Sequence, residues 1–363
     1  MERTSLGRLL AVVLGVVALS GRASAHIRYV TDGPGRPIEA ARFVVETLSD
    51  PATAVLFGGT GLLGVTAVGG YLWVRPTVPD LRVLRETLDG YADLVPWMLR
   101  LALGLPLVGA GFTGYLFSPA VQTGPNPLLL GVGFLLLFGL ATRAVALLGL
   151  GLYLAGLSQH PELLLASEYV PGLLAIVLLG GGRPSADQML NAVASAEGTV
   201  YGRVDPVHRV AERVQSAIEP YARYAPTVVR VGLGVAFVYL GFIEKLLQPG
   251  RALLVVEQYD LTAVVPVTPE AWVLGAALAE IALGLLLIAG LLTRAVAAAA
   301  FVVFTLTLFG LSNDPVLAHI TMFGLASATF TMGSGPLAVD RVLADSPARG
   351  APDRPEDRPV AED

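Results

Sequence analysis

The chain of 363 residues is too apolar for a soluble domain, because 54% of its residues are hydrophobic and only 15% are charged, against about 25% charged in soluble proteins. It contains no cysteine, which excludes disulfides, thiolate metal sites and dithiol redox chemistry carried by the chain itself. The net charge is -5, and arginines spread among turns and helix ends leave no basic patch, which excludes nucleic-acid binding. The composition therefore predicts an all-α integral membrane protein.

The N-terminus has the three-part layout of a secretory signal peptide. Basic residues precede an apolar core at 9–19, and Ala-Ser-Ala at 23–25 offers a cleavage site that would leave His26 first. An uncleaved anchor helix is the alternative, although the apolar core alone is short for a crossing. We therefore assign residues 1–25 to a signal peptide.

A first transmembrane helix follows a short outer segment. Residues 51–74 are long and uncharged enough to span a bilayer, and Trp73 stands where an interfacial aromatic belongs. Arginines in 75–93 place that stretch in the cytoplasm and the N-terminus outside, under the positive-inside rule. Residues 26–93 thus form an outer segment, a transmembrane helix and an inner linker.

The rest of the chain repeats itself at 94–190, the first unit, and 226–343, the second unit. Matched positions include Arg100 and Arg230, Thr142 and Thr293, and Asp187 and Asp340. The hydrophobic segments are 94–117, 127–141, 144–158 and 163–180 in the first unit, and 226–247, 271–292, 295–311 and 316–333 in the second. Four crossings return a chain to its starting side, so we predict two tandem four-helix transmembrane bundles in parallel orientation.

Two polar segments flank the second unit. Residues 191–225 contain apolar side chains at helical spacing over 207–221, which predicts a cytoplasmic amphipathic linker. Residues 344–363 are rich in proline, aspartate and arginine, and this composition predicts a disordered cytoplasmic tail.

Ionisable residues within the second unit form the candidate site, because such groups are costly in a membrane unless they are paired or functional. Glu280 lies near the middle of its segment, and His319 about one turn inside the outer end of its helix. Glu244 and Lys245, the single lysine of the chain, lie ~20 Å along their helix from Arg230. At these depths, Lys245 or His319 is expected to pair with Glu280 or Glu244.

The first unit has the same helix pattern and the same matched Arg, Thr and Asp positions as the second unit, and we call this shared pattern the frame. The first unit lacks these charges. Its residues at the positions of Glu244, Lys245 and Glu280 are Gly114, Tyr115 and Leu129. We infer that the second unit carries a polar site and that the first is largely scaffold. The alternative is that Glu280 and Lys245 form one structural ion pair that locks two helices together.

The second unit resembles the DoxX family. The resemblance is carried by the patterns RVGLGVAFVYLGFIEKLLQP and AEIALGLLLIAGLLTRAVA, by Gln258-Tyr259 and Pro266 between them, and by the closing GSGPLAVDRVL. The first unit matches the same frame, so we describe two tandem DoxX-like units.

The resemblance implies a four-helix membrane bundle, with links in some relatives to quinone-coupled sulfur oxidation or to membrane complexes in oxidative-stress defence. Lys245 and Glu280 fall on the G-x-x-K and E-x-x-x-G positions of the family, whereas His319 replaces a fourth-helix acidic residue that Glu168 supplies in the first unit. The implied catalytic set is Lys245, Glu280 and His319, with Glu244 and Tyr259 as further quinone-binding candidates. An enzyme assignment does not follow from family membership alone.

The expected function is that of a membrane subunit of a quinone-linked redox system in a prokaryotic plasma membrane, working with a soluble or membrane redox partner. No metal site is predicted. One alternative is a transporter or metal-handling protein, in which Glu280 and His319 line a path for a proton, a copper ion or a small solute. Another is a membrane scaffold that docks a soluble partner through residues 183–225.

Overall fold

The computed structural model describes residues 38–74, 78–201, 207–311 and 316–345. These residues are almost entirely helical, which confirms the predicted all-α class, with one short antiparallel ribbon of Tyr115–Leu116 and Ser118–Gln122. The predicted signal peptide and His26 lie outside the described residues. So does the predicted disordered tail beyond Asp345, the last residue of a short helix.

Three helices precede the first unit: α1 Ala40–Ser49, α2 Pro51–Val74 and α3 Pro79–Asp89. Helix α2 coincides with the first predicted crossing and is exposed along nearly all of its length, as expected of a helix that faces lipid. The side chain of Asp50 caps it, because its Oδ2 accepts hydrogen bonds from the backbone and the hydroxyl of Thr53, at 2.9 and 2.7 Å.

The first unit contains four principal helices, followed by a short one. They are α4 Val95–Thr113, α5 Pro127–Phe138, α6 Thr142–Gln159, α7 Tyr169–Leu179 and α8 Ala186–Ser195. The β ribbon joins α4 to α5, with β1 at Tyr115–Leu116 and β2 at Ser118–Gln122, and a 3-10 helix at Pro161–Ala166 joins α6 to α7.

A linker helix and the second unit follow. Their helices are α9 Val207–Ile218, α10 Ala225–Tyr239, α11 Pro249–Gln258, α12 Pro269–Ala289, α13 Thr293–Gly310, α14 Val316–Met332 and α15 Val339–Asp345. Helix α9 lies within the stretch predicted to be an amphipathic helix. Helix α10 continues as a π-helical segment, Leu240–Leu246.

Five described helical segments are long and apolar enough to cross a membrane: Pro51–Val74, Ala92–Thr113, Val210–Leu246, Pro269–Ala289 and Thr293–Gly310. Helices α5 and α7 are apolar but shorter, in keeping with the short 127–141 segment of the sequence. These features indicate a multi-pass membrane protein. Nine crossings and the orientation of the chain stay predictions.

The two units pack through a shared interior. One continuous cluster of buried apolar residues runs from α4 to α14 and includes Leu103, Leu173, Leu233 and Leu325. Within each unit the first helix packs on the second, α4 on α5 and α10 on α12, while the fourth packs on the third, α7 on α6 and α14 on α13. The parallel orientation of two bundles stays a prediction.

The two units also contact each other through equivalent pairs of helices. Helix α14 packs on α4, and α7 packs on α10, so the fourth helix of each unit contacts the first helix of the other. A Cβ atom added to Gly324 would lie 2.0 Å from Ala102, and one added to Gly232 would lie 2.2 Å from Pro171. Ala102 and Gly232 are equivalent in the repeat, as are Pro171 and Gly324. The two seams, α4–α14 and α7–α10, are therefore related by the internal repeat.

A buried arginine ties the first helix of each unit to the loop that closes the unit. Arg100 and Arg230 are 1% and 0% exposed, and their guanidinium groups donate to backbone carbonyls. The accepting carbonyls belong to Gly181 (2.8 Å) and Pro184 (2.7 Å) in the first unit, and to Ser334 (3.0 Å), Ile288 (2.7 Å), Leu287 and Leu337 in the second. Because these carbonyls lie at helix ends and in turns, each arginine satisfies backbone acceptors that the helices leave open.

A second apolar cluster covers the N-terminal end of α12 and, among the described residues, has no counterpart in the helix pattern of the first unit. Its buried members are Phe43, Ala252, Val256, Leu261, Val273 and Leu274. Helices α1 and α11 thus both pack against α12, the helix that carries Glu280.

Candidate functional site

Lys245 and Glu280 form the centre of the candidate site. The Lys245 Nζ atom lies 2.8 Å from Oε1 and 2.7 Å from Oε2 of Glu280, so the ammonium binds both carboxylate oxygens. The Lys245 and Glu280 side chains are 21% and 15% exposed. The pair expected from the sequence is therefore formed, and it is partly open rather than sealed inside the protein.

A π-helical segment carries Lys245. Residues Leu240–Leu246 continue α10 with a wider turn, and the Leu247 N–H donates to the Phe242 carbonyl at 2.9 Å, five residues back. The equivalent helix of the first unit ends at Thr113, where Gly114 adopts a left-handed conformation at φ 88°. The backbone conformation of the two units thus differs at the position where the second unit has Glu244 and Lys245. Turns of π-helix are often found at functional sites.

Gly241 lets the π-helical segment approach α12 closely. A Cβ atom at this position would lie 2.6 Å from the Ala277 carbonyl oxygen and 3.1 Å from the Glu280 Cβ. Any side chain larger than hydrogen would push the two helices apart. Since Lys245 follows Gly241 by one turn, this contact sets the distance over which Lys245 reaches Glu280.

The remaining predicted site residues lie at different places in the second unit. Glu244 is almost completely buried and interacts electrostatically with Tyr239. His319 is buried in α14, the helix that contacts the first unit, and Tyr259 is partly buried against the second apolar cluster. A common site that joins His319, Glu244 and Tyr259 to the Lys245–Glu280 pair stays a prediction.

A cluster of buried tyrosines was missed by the sequence analysis. Tyr153 and Tyr169 stack with ring centroids 6.4 Å apart, and both lie in electrostatic range of Glu168. Tyr153 also interacts with Tyr239 of the second unit. The sequence contained a sign of this cluster, because the second unit has Tyr239 at the position where the first unit has Gly109.

No group of three or more histidine, cysteine, aspartate or glutamate residues is placed to hold a metal ion in the part of the chain that the structure describes. The donors and acceptors of Lys245 and Glu280 have the chemistry to bind a polar organic group. An ammonium group has three donors, and Glu280 accepts from two of them, which leaves one for a carbonyl oxygen. Their partial exposure leaves the pair accessible from outside the protein.

The long apolar helices and the ion pair between two of them define a multi-pass membrane protein. Residues 225–313 match the family model described as DoxX. The match runs from α10 to α13 and includes both Lys245 and Glu280. It does not extend to the first unit, so a second DoxX unit stays a prediction.

Comparison with curated proteins gave no match, and comparison with solved structures gave none either.

Proposed function

We propose that the protein is the membrane subunit of a quinone-linked redox system in a prokaryotic plasma membrane. The observation that carries the proposal is the partly exposed Lys245–Glu280 pair inside the DoxX-matched region. A charged pair within apolar helices costs free energy, so such pairs are rare and often have a function. The internal repeat of helix contacts supports two parallel DoxX-like units, at 94–190 and 226–343.

The proposed site binds a quinone headgroup through donors and acceptors that the second unit supplies. When bound, a quinone would supply a two-electron, two-proton acceptor. Lys245 donates its third N–H to a carbonyl oxygen of the headgroup, and Glu280 holds or passes on a proton beside it. His319 is the second proposed donor, and Glu244 and Tyr259 flank the site.

Quinone retention tests this proposal. The purified full-length protein should retain quinone from the membrane, and the Lys245→Met and Glu280→Leu variants should lose most of it. Glu270→Leu is a matched control, because Glu270 is an exposed carboxylate at the start of the same helix, α12. Retention that is unchanged in the Lys245 and Glu280 variants would remove the site assignment.

A transporter is the second candidate, and the repeat architecture favours it. Parallel repeats related by an axis along the membrane normal are common in transporters, with substrate sites at the contact between repeats. In this reading Glu280 and His319 line a path for a proton, a copper ion or a small solute. A liposome flux assay separates the two candidates, because a redox subunit should show no flux that depends on substrate.

A partner is expected to dock on the cytoplasmic side in the redox proposal, as in the scaffold alternative. Segment 183–225 is the proposed contact, and several of its apolar side chains are exposed, among them Met189, Val200 and Tyr221. Loss of a co-purifying protein when Met189, Val200 and Tyr221 are replaced with serine, with quinone retention unaffected, would favour the scaffold alternative.

A further inference from the structure

Arg143 and Arg294 hold equivalent places in the two units, each as the second residue of the third helix. In each unit the Nε and Nη2 atoms of this arginine donate to two successive carbonyls at the end of the fourth helix. The carbonyls belong to Val177 (2.9 Å) and Leu178 (3.5 Å) in the first unit, and to Phe330 (3.1 Å) and Thr331 (3.0 Å) in the second. Each arginine therefore ties the start of the third helix to the end of the fourth.

Arg294 also binds a carboxylate. Its Nη2 atom lies 2.5 Å from Oδ1 of Asp89, the last residue of α3, and α3 packs on α14. The Asp89 side chain is 66% exposed, so this ion pair lies at the surface of the protein rather than in its interior. In the second unit, the exposed side of the arginine is thus a place that holds an anion.

The first unit has no such carboxylate on its arginine. Among the residues that the structure describes, Arg143 makes only its two backbone contacts and forms no ion pair. Glu219 is the repeat equivalent of Asp89, because each lies 11 residues before the buried arginine of the unit that follows it. The 3-10 helix that begins with Glu219 packs on α7, as α3 packs on α14, but Glu219 itself is exposed and does not reach Arg143.

Asp187 does not take the place of that anion. It lies in electrostatic range of Arg143, but its carboxylate already caps α6 by accepting three hydrogen bonds from the start of that helix. Asp340 has the same place in the second unit, and Arg294 binds Asp89 nevertheless. Since a guanidinium has five N–H donors and Arg143 uses two of them, three remain for an external anion.

The surroundings of Arg143 fit a lipid. Helix α6 has 18 residues, as does its equivalent α13, which is long and apolar enough to cross a membrane. An arginine in the first turn of such a helix lies at the depth of the lipid headgroups. Leu147 and Leu154 follow Arg143 on the same face of α6, and both are exposed. A cation thus stands at one end of an exposed apolar stripe, which matches the phosphate and the acyl chains of a phospholipid.

We propose that Arg143 binds the phosphate group of an anionic phospholipid, at the place equivalent to that of Asp89 on Arg294. The free N–H groups of Arg143 donate to phosphate oxygens, and the acyl chains lie along Leu147 and Leu154. A guanidinium suits this ligand because its planar donors match two oxygens of one phosphate group. The first unit thus takes from the membrane the anion that the second unit takes from α3.

Lipid binding to the full-length protein tests the proposal. Native mass spectrometry in a neutral detergent, with phosphatidylglycerol added in steps, gives the dissociation constant of the tightest lipid. Arg143→Gln should weaken this binding about tenfold, because a charge-assisted contact is lost, and Arg143→Lys, which keeps the charge, should weaken it less. Glu219→Gln is the matched control and should bind as wild type does. Equal binding by wild type and Arg143→Gln would overturn the proposal.

A gain of binding in the second unit tests the same equivalence without any change to the first unit. Asp89→Ala frees the guanidinium of Arg294 and should add one bound phosphatidylglycerol relative to wild type. An unchanged lipid count in Asp89→Ala would overturn the proposal.

The source of the phosphate is tested by competition. Excess inorganic phosphate should leave the phosphatidylglycerol bound, because the acyl chains contribute to its affinity. Displacement by inorganic phosphate would overturn the lipid assignment and identify a site for free phosphate. Quinone is absent from all of these experiments, so their outcome is independent of the proposed redox function.

Discussion

The carboxylate of Asp187 caps helix α6 from outside that helix, because it accepts hydrogen bonds from the backbone N–H and the hydroxyl of Thr142, at 2.8 and 2.6 Å. It also accepts from the Ala141 N–H at 2.6 Å. Asp340 repeats this arrangement in the second unit, with the N–H groups of Leu292 and Thr293 at 2.8 and 2.9 Å. Neither Ala141 nor Leu292 has a side chain that can cap a helix, so the aspartates provide the caps instead.

Removal of the Asp187 carboxylate should destabilise the first unit. In Asp187→Ala, the exposed Ala141 N–H and the half-buried N–H and hydroxyl of Thr142 lose a charged acceptor, which we expect to cost ~2 kcal/mol. The free energy of unfolding in a denaturing-detergent titration measures this loss. Asp93→Ala, at an exposed aspartate, is the control, and equal stability of the two variants would contradict the capping role.

The two buried arginines should differ in how well they tolerate lysine. Arg230 donates to four carbonyl oxygens and Arg100 to two. A lysine lacks the planar fork that reaches several carbonyls at once, so we expect Arg230→Lys to cost ~3 kcal/mol and Arg100→Lys about half as much. The same detergent titration measures both. A larger loss for Arg100→Lys would mean that the hydrogen bonds do not set the stability.

The sequence predicts the frame of this protein well, because the frame depends on residues that occur twice. Arg100 and Arg230 match by spacing, and each closes its unit in the same way. The Lys245–Glu280 pair could also be predicted, since opposite charges at similar depths in an apolar bundle have few other partners. In both cases the free energy that fixes the structure is local to one unit.

The contacts between the units could not be predicted. The close approach of Gly232 to Pro171 depends on how α10 and α7 pack, and no periodicity in either helix identifies the partner helix. Tyr153 and Tyr239 have the appearance of ordinary core aromatics in the sequence. The packing of α10 against the first unit brings them into electrostatic range of each other, which was not visible before the fold was known.

Close helix packing within the second unit gives a further prediction. A Cβ atom at Gly284 would lie 2.6 Å from the Gly234 carbonyl oxygen and 2.7 Å from a Val238 methyl group. Gly284→Ala should therefore separate α10 from α12 and cost about 1–3 kcal/mol. Gly151→Ala is the control, because a Cβ there meets no atom within 4 Å, and alanine favours the helix. A thermal-stability assay should show a lower midpoint only for Gly284→Ala.

The last prediction tests whether the Lys245–Glu280 pair binds a ligand or only holds two helices together. Lys245→Met alone leaves the Glu280 carboxylate without its cation, and Glu280→Leu alone leaves the ammonium without its anion. Each single variant should lose ~3 kcal/mol of unfolding free energy. The double variant should regain much of this loss, because neither charge is then left unpaired.

A double-mutant cycle on the free energy of unfolding measures this coupling. The exposed pair Arg42–Glu46, with its atoms 2.7 Å apart and its side chains 72% and 60% exposed, is the matched control and should show no measurable coupling. If the losses at Lys245 and Glu280 simply add, the observed ion pair does not contribute to stability. If the coupling is strong and quinone retention is also lost in the double variant, the pair stabilises the helices and binds the ligand. Strong coupling with unchanged retention would instead identify a structural lock between the π-helical segment and α12.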